Sequence, residues 1–446
     1  MNRRVFLQGM SLATMVALFP SLAHGSTPLD LTQVQFDATK FTNNNAQTIM
    51  VYLYGGASEL GGNLSNLDEI QEKSQNKYNL SQLTKTTNNF WQQAGGDAME
   101  RMLANGDLNL FRTCYRKDNT SKSHGECTSE NQRGLRNHEE PSYGSGIFST
   151  LGQVLVNNAV VTSETVLPFL TMEGESGLFA SGPLDLETFL RPAAINERLT
   201  NPYSRNLRYE LHNSSEWDSD PRPKDTDISA DMDAMAQSIN QNPTLKDAFS
   251  KRATLSAFMK EQQEKTVPDG ITYPDSSFGR KLKAAINILT GNPDTKVISL
   301  GGGGLGGWDD HSNAIDKYTR RLSDLMSSVE VALAHLANLG RNNVNIIVFA
   351  EFGRNVNLND SKGWDHGNNQ NVYIFGGKQY FNQLGVVGET ELKPTESNNR
   401  LYTQPTASSY TFEPYAVAAT IYKMYGITNP EVLTEGYAAI DAGLFK

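Results

Sequence analysis

The sequence predicts an α/β protein: a three-layer α/β/α sandwich with a mostly parallel sheet and an inserted helical and loop region. Three observations predict it. Residues 47–54 and 344–350 are near-continuous apolar runs rich in β-formers, the pattern of strands covered on both faces in a parallel sheet. Helical patterns alternate with strand-like runs over most of the chain, and that order builds a doubly wound layer. Glycines end two of the strand-like runs, at Gly55-Gly56 and from Gly301 to Gly304, where such folds carry functional loops.

The elements follow in order. Residues 1–26 carry Arg3-Arg4, an apolar run over 9–19 and small residues around 23–26, with no Asp, Glu, Lys or Arg between Arg4 and Asp30. A run this short does not span a bilayer, and a twin-arginine pair before it predicts export of the folded protein to the periplasm or beyond, with no membrane span after cleavage. Residues 27–45 are polar and read as a linker before a domain covering 46–446. Helical spacing recurs at 88–105, 145–157, 276–290, 313–339 and 415–425, and strand patterns at 108–113, 166–171, 295–300 and 371–375. In the 313–339 helix, His335 reads as structural. Residues of about 175–275 are rich in Asn, Ser, Asp and Pro with two helical stretches and no strong strand, which reads as an insertion or cap, or as an irregular connection packed at the side.

With 446 residues and a formal charge of −10, the chain is suited neither to nucleic acid nor to an anionic membrane surface. Its two cysteines, Cys114 and Cys127, flank a polar segment. In an exported protein that arrangement predicts a disulfide closing the loop that holds Arg116, Ser123 and His124.

The chemistry gathers between 301 and 367. Asp309/His311 and Asp365/His366 each follow a strand-like segment, and oxygen and nitrogen donors together suit a divalent ion such as zinc or manganese. Because the loops after parallel strands emerge on one edge of a sheet, the four residues are expected to converge there, with Glu59 and His124 facing the same pocket. His138 reads as a surface or structural residue.

Several of these motifs occur together: Arg-Arg-x-Phe-Leu at the start, Gly-Gly-Trp-Asp-x-His at 306–311, Glu-Phe-Gly-Arg at 351–354 and Asp-His-Gly at 365–367. In that order they resemble the sulfatase-like bacterial family called domain of unknown function 1501, within the alkaline phosphatase-like superfamily. The resemblance implies a metal-dependent hydrolase of phosphate or sulfate esters acting on a small anionic ester or glycan. It implies metal ligands at Asp309, His311, Asp365 and His366, with Glu59 the only carboxylate near the end of the first strand. It also matches Ser123-His124 to a Ser-His element after the second strand, where Thr120 and Ser121 compete with Ser123 as nucleophile. Arg354 would contact the anion, or else pair with Glu351 to hold a loop. Where members of the family often carry Gly-Gly-x-Asp, this chain has Gly55-Gly56-Ala57-Ser58, and no histidine follows His366. One ion or none is therefore expected, and the alternative function is a non-catalytic exported protein that binds a glycan or a cell-surface assembly partner.

Overall fold

The computed structural model describes residues 31–136, 144–195 and 265–446, apart from 175, 303 and 394–398, together with a few positions between 196 and 264. The expected leader over 1–26, His138 and most of the 175–275 segment lie outside the described residues. The strands among the described residues are β1 (Gln47–Leu53), β2 (Leu108–Tyr115), β3 (Phe169–Thr171), β4 (Ala193–Ala194), β5 (Val297–Ser299), β6 (Val344–Ala350), β7 (Gly353–Arg354), β8 (His366–Gly367), β9 (Asn369–Gly376), β10 (Val386–Val387), β11 (Thr390–Leu392) and β12 (Thr403–Pro405). Eight of them form one sheet in the order β10-β2-β9-β6-β1-β5-β3-β4.

The centre of the sheet is parallel because its strands are apolar on both faces. β1 pairs with β6 along its whole length, Gln47 opposite Val344 to Leu53 opposite Ala350, and with β5 on its other side. Every residue of β1 and β6 is buried. Alternate residues face opposite layers. Ile49, Val51 and Leu53 pack with α2 (Leu67–Lys73), α3 (Gly96–Ala104), α6 (Ser277–Gly291) and α7 (Ala314–Asn338), whereas Met50 and Tyr52 pack with α5 (Ile147–Asn157) and α8 (Ala416–Met424). These are the three layers the sequence predicts. No helix among the described residues is long and apolar enough to cross a membrane.

One strand departs from the parallel rule. β9 runs antiparallel to both of its neighbours, β6 and β2. It therefore begins at the edge where β1, β2, β5 and β6 end, and the residues just before it arrive at that edge too.

Three expectations are corrected. Residues 38–44, within the expected linker, form a helix, α1 (Ala38–Asn44), because the Asp37 carboxylate accepts the Thr39 and Lys40 amides at its start and Asn45 closes it in the left-handed conformation. The helical pattern at 88–105 is broken at Gly95, whose φ of +87° ends a short 3-10 turn and starts α3. The expected insertion contributes to the core at its start, since Leu178 and Phe179 are buried and β4 extends the sheet beyond β3.

The expected disulfide is absent as well. Cys114 and Cys127 are free and buried. Cys114 lies among the apolar side chains under β2, while the Cys127 thiol donates to the Ser121 carbonyl at 3.2 Å. Both thiols thus have a settled environment of their own. Burial pushes the Cys127 thiol up to about 12.

Candidate metal centre

The loop after β5 is built by alternation. Trp308 and Asp310 point inward, Trp308 fully buried against Tyr318 and beneath Arg321, and Asp310 paired with Arg321 at 2.5 Å. Asp309 and His311, between and beyond them, are left facing outward, as residues two apart in an extended segment must be. The neighbouring loop is anchored the same way: Trp364 is buried, its indole donates to the Tyr78 hydroxyl at 2.7 Å, and its amide donates to the Asp310 carbonyl at 2.8 Å. The short ladder of β7 with β8 then sets Arg354 opposite His366.

His124 arrives from a third direction. It is the first residue of α4 (His124–Arg133), in the loop after β2. Four groups, His124, Asp309, His311 and His366, consequently offer one ligand atom each, all within 4.8 Å of one another. His311 Nε2 lies 3.0 Å from His366 Nε2 and 3.0 Å from Asp309 Oδ1, and His124 Nε2 and His366 Nε2 lie 3.5 and 3.8 Å from that same oxygen.

Each imidazole is held from behind. His124 Nδ1 meets Glu351 Oε2 at 2.8 Å, His311 Nδ1 meets Asp365 Oδ1 at 3.2 Å, and His366 Nδ1 meets the Lys122 carbonyl at 2.8 Å. An acceptor at Nδ1 fixes the proton there and leaves the lone pair on Nε2. All three Nε2 lone pairs and the Asp309 carboxylate are aimed at one small volume. Burial, with Arg354 and His124 nearby, pushes the His366 imidazole down to about 4, so it is neutral at pH 7, as a ligand must be. Burial alone would raise the Asp309 carboxyl, but the Arg354 guanidinium outweighs it and holds Asp309 below the usual carboxylate range.

The donor set fits a divalent ion. Bonds of about 2.0–2.1 Å in a tetrahedron put ligand atoms about 3.3 Å apart, and the separations above bracket that value. The side chains of His124, Asp309 and His311 are 39, 49 and 43% exposed, so an ion and a further ligand have access from solvent. Two parts of the chain approach so closely here that only glycine serves: a Cβ on Gly55, whose φ is +106°, would overlap the Asp309 amide.

The expected site residues divide. His311, His366 and Asp309 meet as expected, and His124, expected in a catalytic role, joins them as a fourth candidate ligand. Asp365 does not enter the cluster. It backs His311 and is itself held by Arg400 at 2.9 Å, because neighbouring residues of an extended chain face opposite sides and His366 takes the inward one.

Glu59 lies elsewhere. It is buried, accepting from Thr403 Oγ1 at 2.7 Å and from the Asn369 side chain, and burial pushes its carboxyl up to about 7. Arg354 is also buried, with all three nitrogens in use: Nε on the Gly56 carbonyl, Nη1 on the Trp364 carbonyl and His311, Nη2 on the Gly55 and Trp308 carbonyls and Asp309. It pins loops together and does not reach out to an anion. Nor does it pair with Glu351, whose two oxygens take the His124 ring and the Gly55 amide. Ser123 occupies the position before α4, with no capping bond from its hydroxyl. The residue that sequence reasoning undervalued is Glu351, and its signal was a carboxylate directly after seven buried strand residues.

The motifs that supply these residues lie inside a single family match spanning residues 45–444, described as "Protein of unknown function (DUF1501)". The chain belongs to the DUF1501 family. No curated protein matches this DUF1501 chain in sequence. Among solved structures, the alkaline phosphatase from the Antarctic bacterium TAB5 is similar at 12% identity and TM-score 0.33, with 87% of this chain and 98% of that one covered. The phosphonate monoester hydrolase SpPMH from Silicibacter pomeroyi is similar at 12% identity and TM-score 0.31, covering 89% and 78%. A protein solved in complex with its substrate D-glucosamine-2-N,6-O-disulfate is similar at 10% identity and TM-score 0.32, covering 89% and 81%.

Proposed function

We propose that this protein is a hydrolase of phosphate or sulfate esters that works with one divalent ion held by His124, His311, His366 and Asp309. The observation that carries the reading is the convergence of three Nε2 lone pairs and a carboxylate oxygen, each imidazole braced through Nδ1. Histidines braced by a carboxylate or a backbone carbonyl, as these are, are the usual support of a metal site. An ion bound there would polarise an ester oxygen and lower the pKa of an attacking hydroxyl or water.

The chain's own residues supply the rest. Asp309, His311 and His124 face solvent and leave room for a small anionic ester or a sulfated or phosphorylated glycan, while Arg354 and Asp365 hold the ligands in place. Ser123, next to His124, is the candidate nucleophile. The twin-arginine start supports export of the folded protein, and Arg3→Lys with Arg4→Lys should abolish it, read as loss of the cleaved form outside the cytoplasm.

The test of activity is hydrolysis of p-nitrophenyl phosphate and p-nitrophenyl sulfate by protein loaded with zinc or manganese. Turnover that disappears in His366→Ala supports the reading, and a surviving rate in Ser123→Ala excludes Ser123 as the nucleophile. A second reading, a non-catalytic protein of the same fold, is favoured by one observation: Arg354 is consumed by main-chain carbonyls. Stoichiometric metal without turnover on either ester would establish that reading.

A further inference from the structure

Beside the site, a fully buried ion pair joins the residue after β2 to α4, and its hydrogen-bond network reaches the end of β6. Arg116 Nη2 lies 2.5 Å from Glu130 Oε2, and both side chains are 0% exposed. Arg116 also donates through Nη1 to Asn131 Oδ1 at 2.9 Å and to the Glu351 carbonyl at 3.5 Å, and through Nε to the Asn119 carbonyl at 3.4 Å. Asn119 returns its side-chain amide to both Glu130 oxygens at 2.8 and 2.9 Å, Tyr415 donates to Glu130 at 2.8 Å, and Asn131 donates to the Ala350 and Glu351 carbonyls at 3.0 and 2.8 Å.

This network grips the two segments on which the metal centre leans. One is the loop from Arg116 to His124, which provides the His124 ring and the Lys122 carbonyl behind His366. The other is the end of β6, which provides Glu351 behind His124. A buried pair rarely stabilises a fold more than well-packed apolar side chains of similar volume would, so stability alone does not account for it.

We infer that Arg116 and Glu130 are positioning residues for the metal centre, setting the distance between His124 and its partner Glu351 and the height of the Lys122 carbonyl. The inference rests on the reading of His124, His311, His366 and Asp309 as metal ligands. Removing one member alone would strand a buried charge and unfold part of the chain, so the informative variant is the double replacement Arg116→Met with Glu130→Leu, which removes both charges at once.

The experiment is Co2+ titration of the full-length protein, wild type and double variant, followed by the visible absorption of tetrahedral cobalt, with thermal melting in parallel. The expected result is a double variant that melts cooperatively like the wild type yet binds Co2+ ten- to a hundredfold more weakly, the usual cost of losing support behind the ligands. A folded double variant with wild-type affinity and an unchanged cobalt spectrum overturns the inference. If the double variant does not fold, Tyr415→Phe, which removes one bond to Glu130 and no charge, replaces it; it should weaken Co2+ binding measurably, and unaltered affinity overturns the inference. Wild-type protein that binds no Co2+ refutes the metal-site reading itself, a distinct outcome.

Discussion

His311 and His366 present their Nε2 atoms to each other at 3.0 Å, although both have the Nδ1 proton committed to an acceptor on the far side of the ring. The two Nε2 atoms therefore face each other, that of His311 also meeting Arg354 Nη1 at 3.3 Å, with His124 Nε2 and a carboxylate oxygen close by. A cation between them would be coordinated by all four groups at once.

Glu351 should matter as much as a ligand does. Glu351→Gln keeps the volume and removes the charge behind His124 Nδ1. Metal affinity should fall ten- to a hundredfold, measured by competition with a chromophoric chelator, while the fold persists. Unchanged affinity would show that the Glu351–His124 contact is incidental.

Arg354 separates two roles cleanly. As a buried clamp on the carbonyls of Gly55, Gly56, Trp308 and Trp364, its replacement by Met should cost about 3–5 kcal/mol in urea unfolding, the range for breaking a buried charge interaction. An anion-binding arginine would instead show wild-type stability and a raised KM for the ester.

Stability should decline as pH rises through a defined window. Burial pushes the Glu59 carboxyl from the usual 4.5 up to about 7, its hydrogen bonds to Thr403 and Asn369 only partly offsetting this. The folded chain therefore keeps a proton that the unfolded chain has released. The contribution is fully present below about pH 4.5 and is lost as pH climbs through about 7. Glu173, also pushed up to about 7 by burial, acts in the same direction. Glu59→Gln should remove about 3 kcal/mol of the difference in unfolding free energy between pH 4.5 and pH 8, and an unaltered pH slope would contradict this assignment.

The cysteines should behave as two inert thiols. Native protein should resist alkylation, because both are buried and burial raises both thiols. Unfolded, unreduced protein should take up two labels; none would restore the bridge between Cys114 and Cys127.

Much of the fold was legible because buried parallel strands have a simple signature. The strand over 344–350 was read to the residue, and α7 to within one residue at each end. The reversal of β9 was not legible, since an apolar run reads alike in either direction, yet it is this reversal that delivers His366 to the right edge. At the site, Asp-x-His spacing placed Asp309 and His311 on one side correctly. The adjacent pair Asp365-His366 could not both face inward, and His124, about 240 residues earlier in the chain, fills the place that Asp365 was expected to take. Glu59 was misassigned because nearness to a strand end does not say which way a side chain turns: Ser58 starts a 3-10 turn that carries Glu59 into the interior.

The most direct test of the central claim is anomalous diffraction at the zinc edge from crystals of zinc-loaded protein. One peak per chain is predicted, bonded to His124 Nε2, His311 Nε2, His366 Nε2 and Asp309 Oδ1, with Asp365 and Glu351 behind the histidines. No peak at that position, or a single peak bound by other residues, would contradict the account.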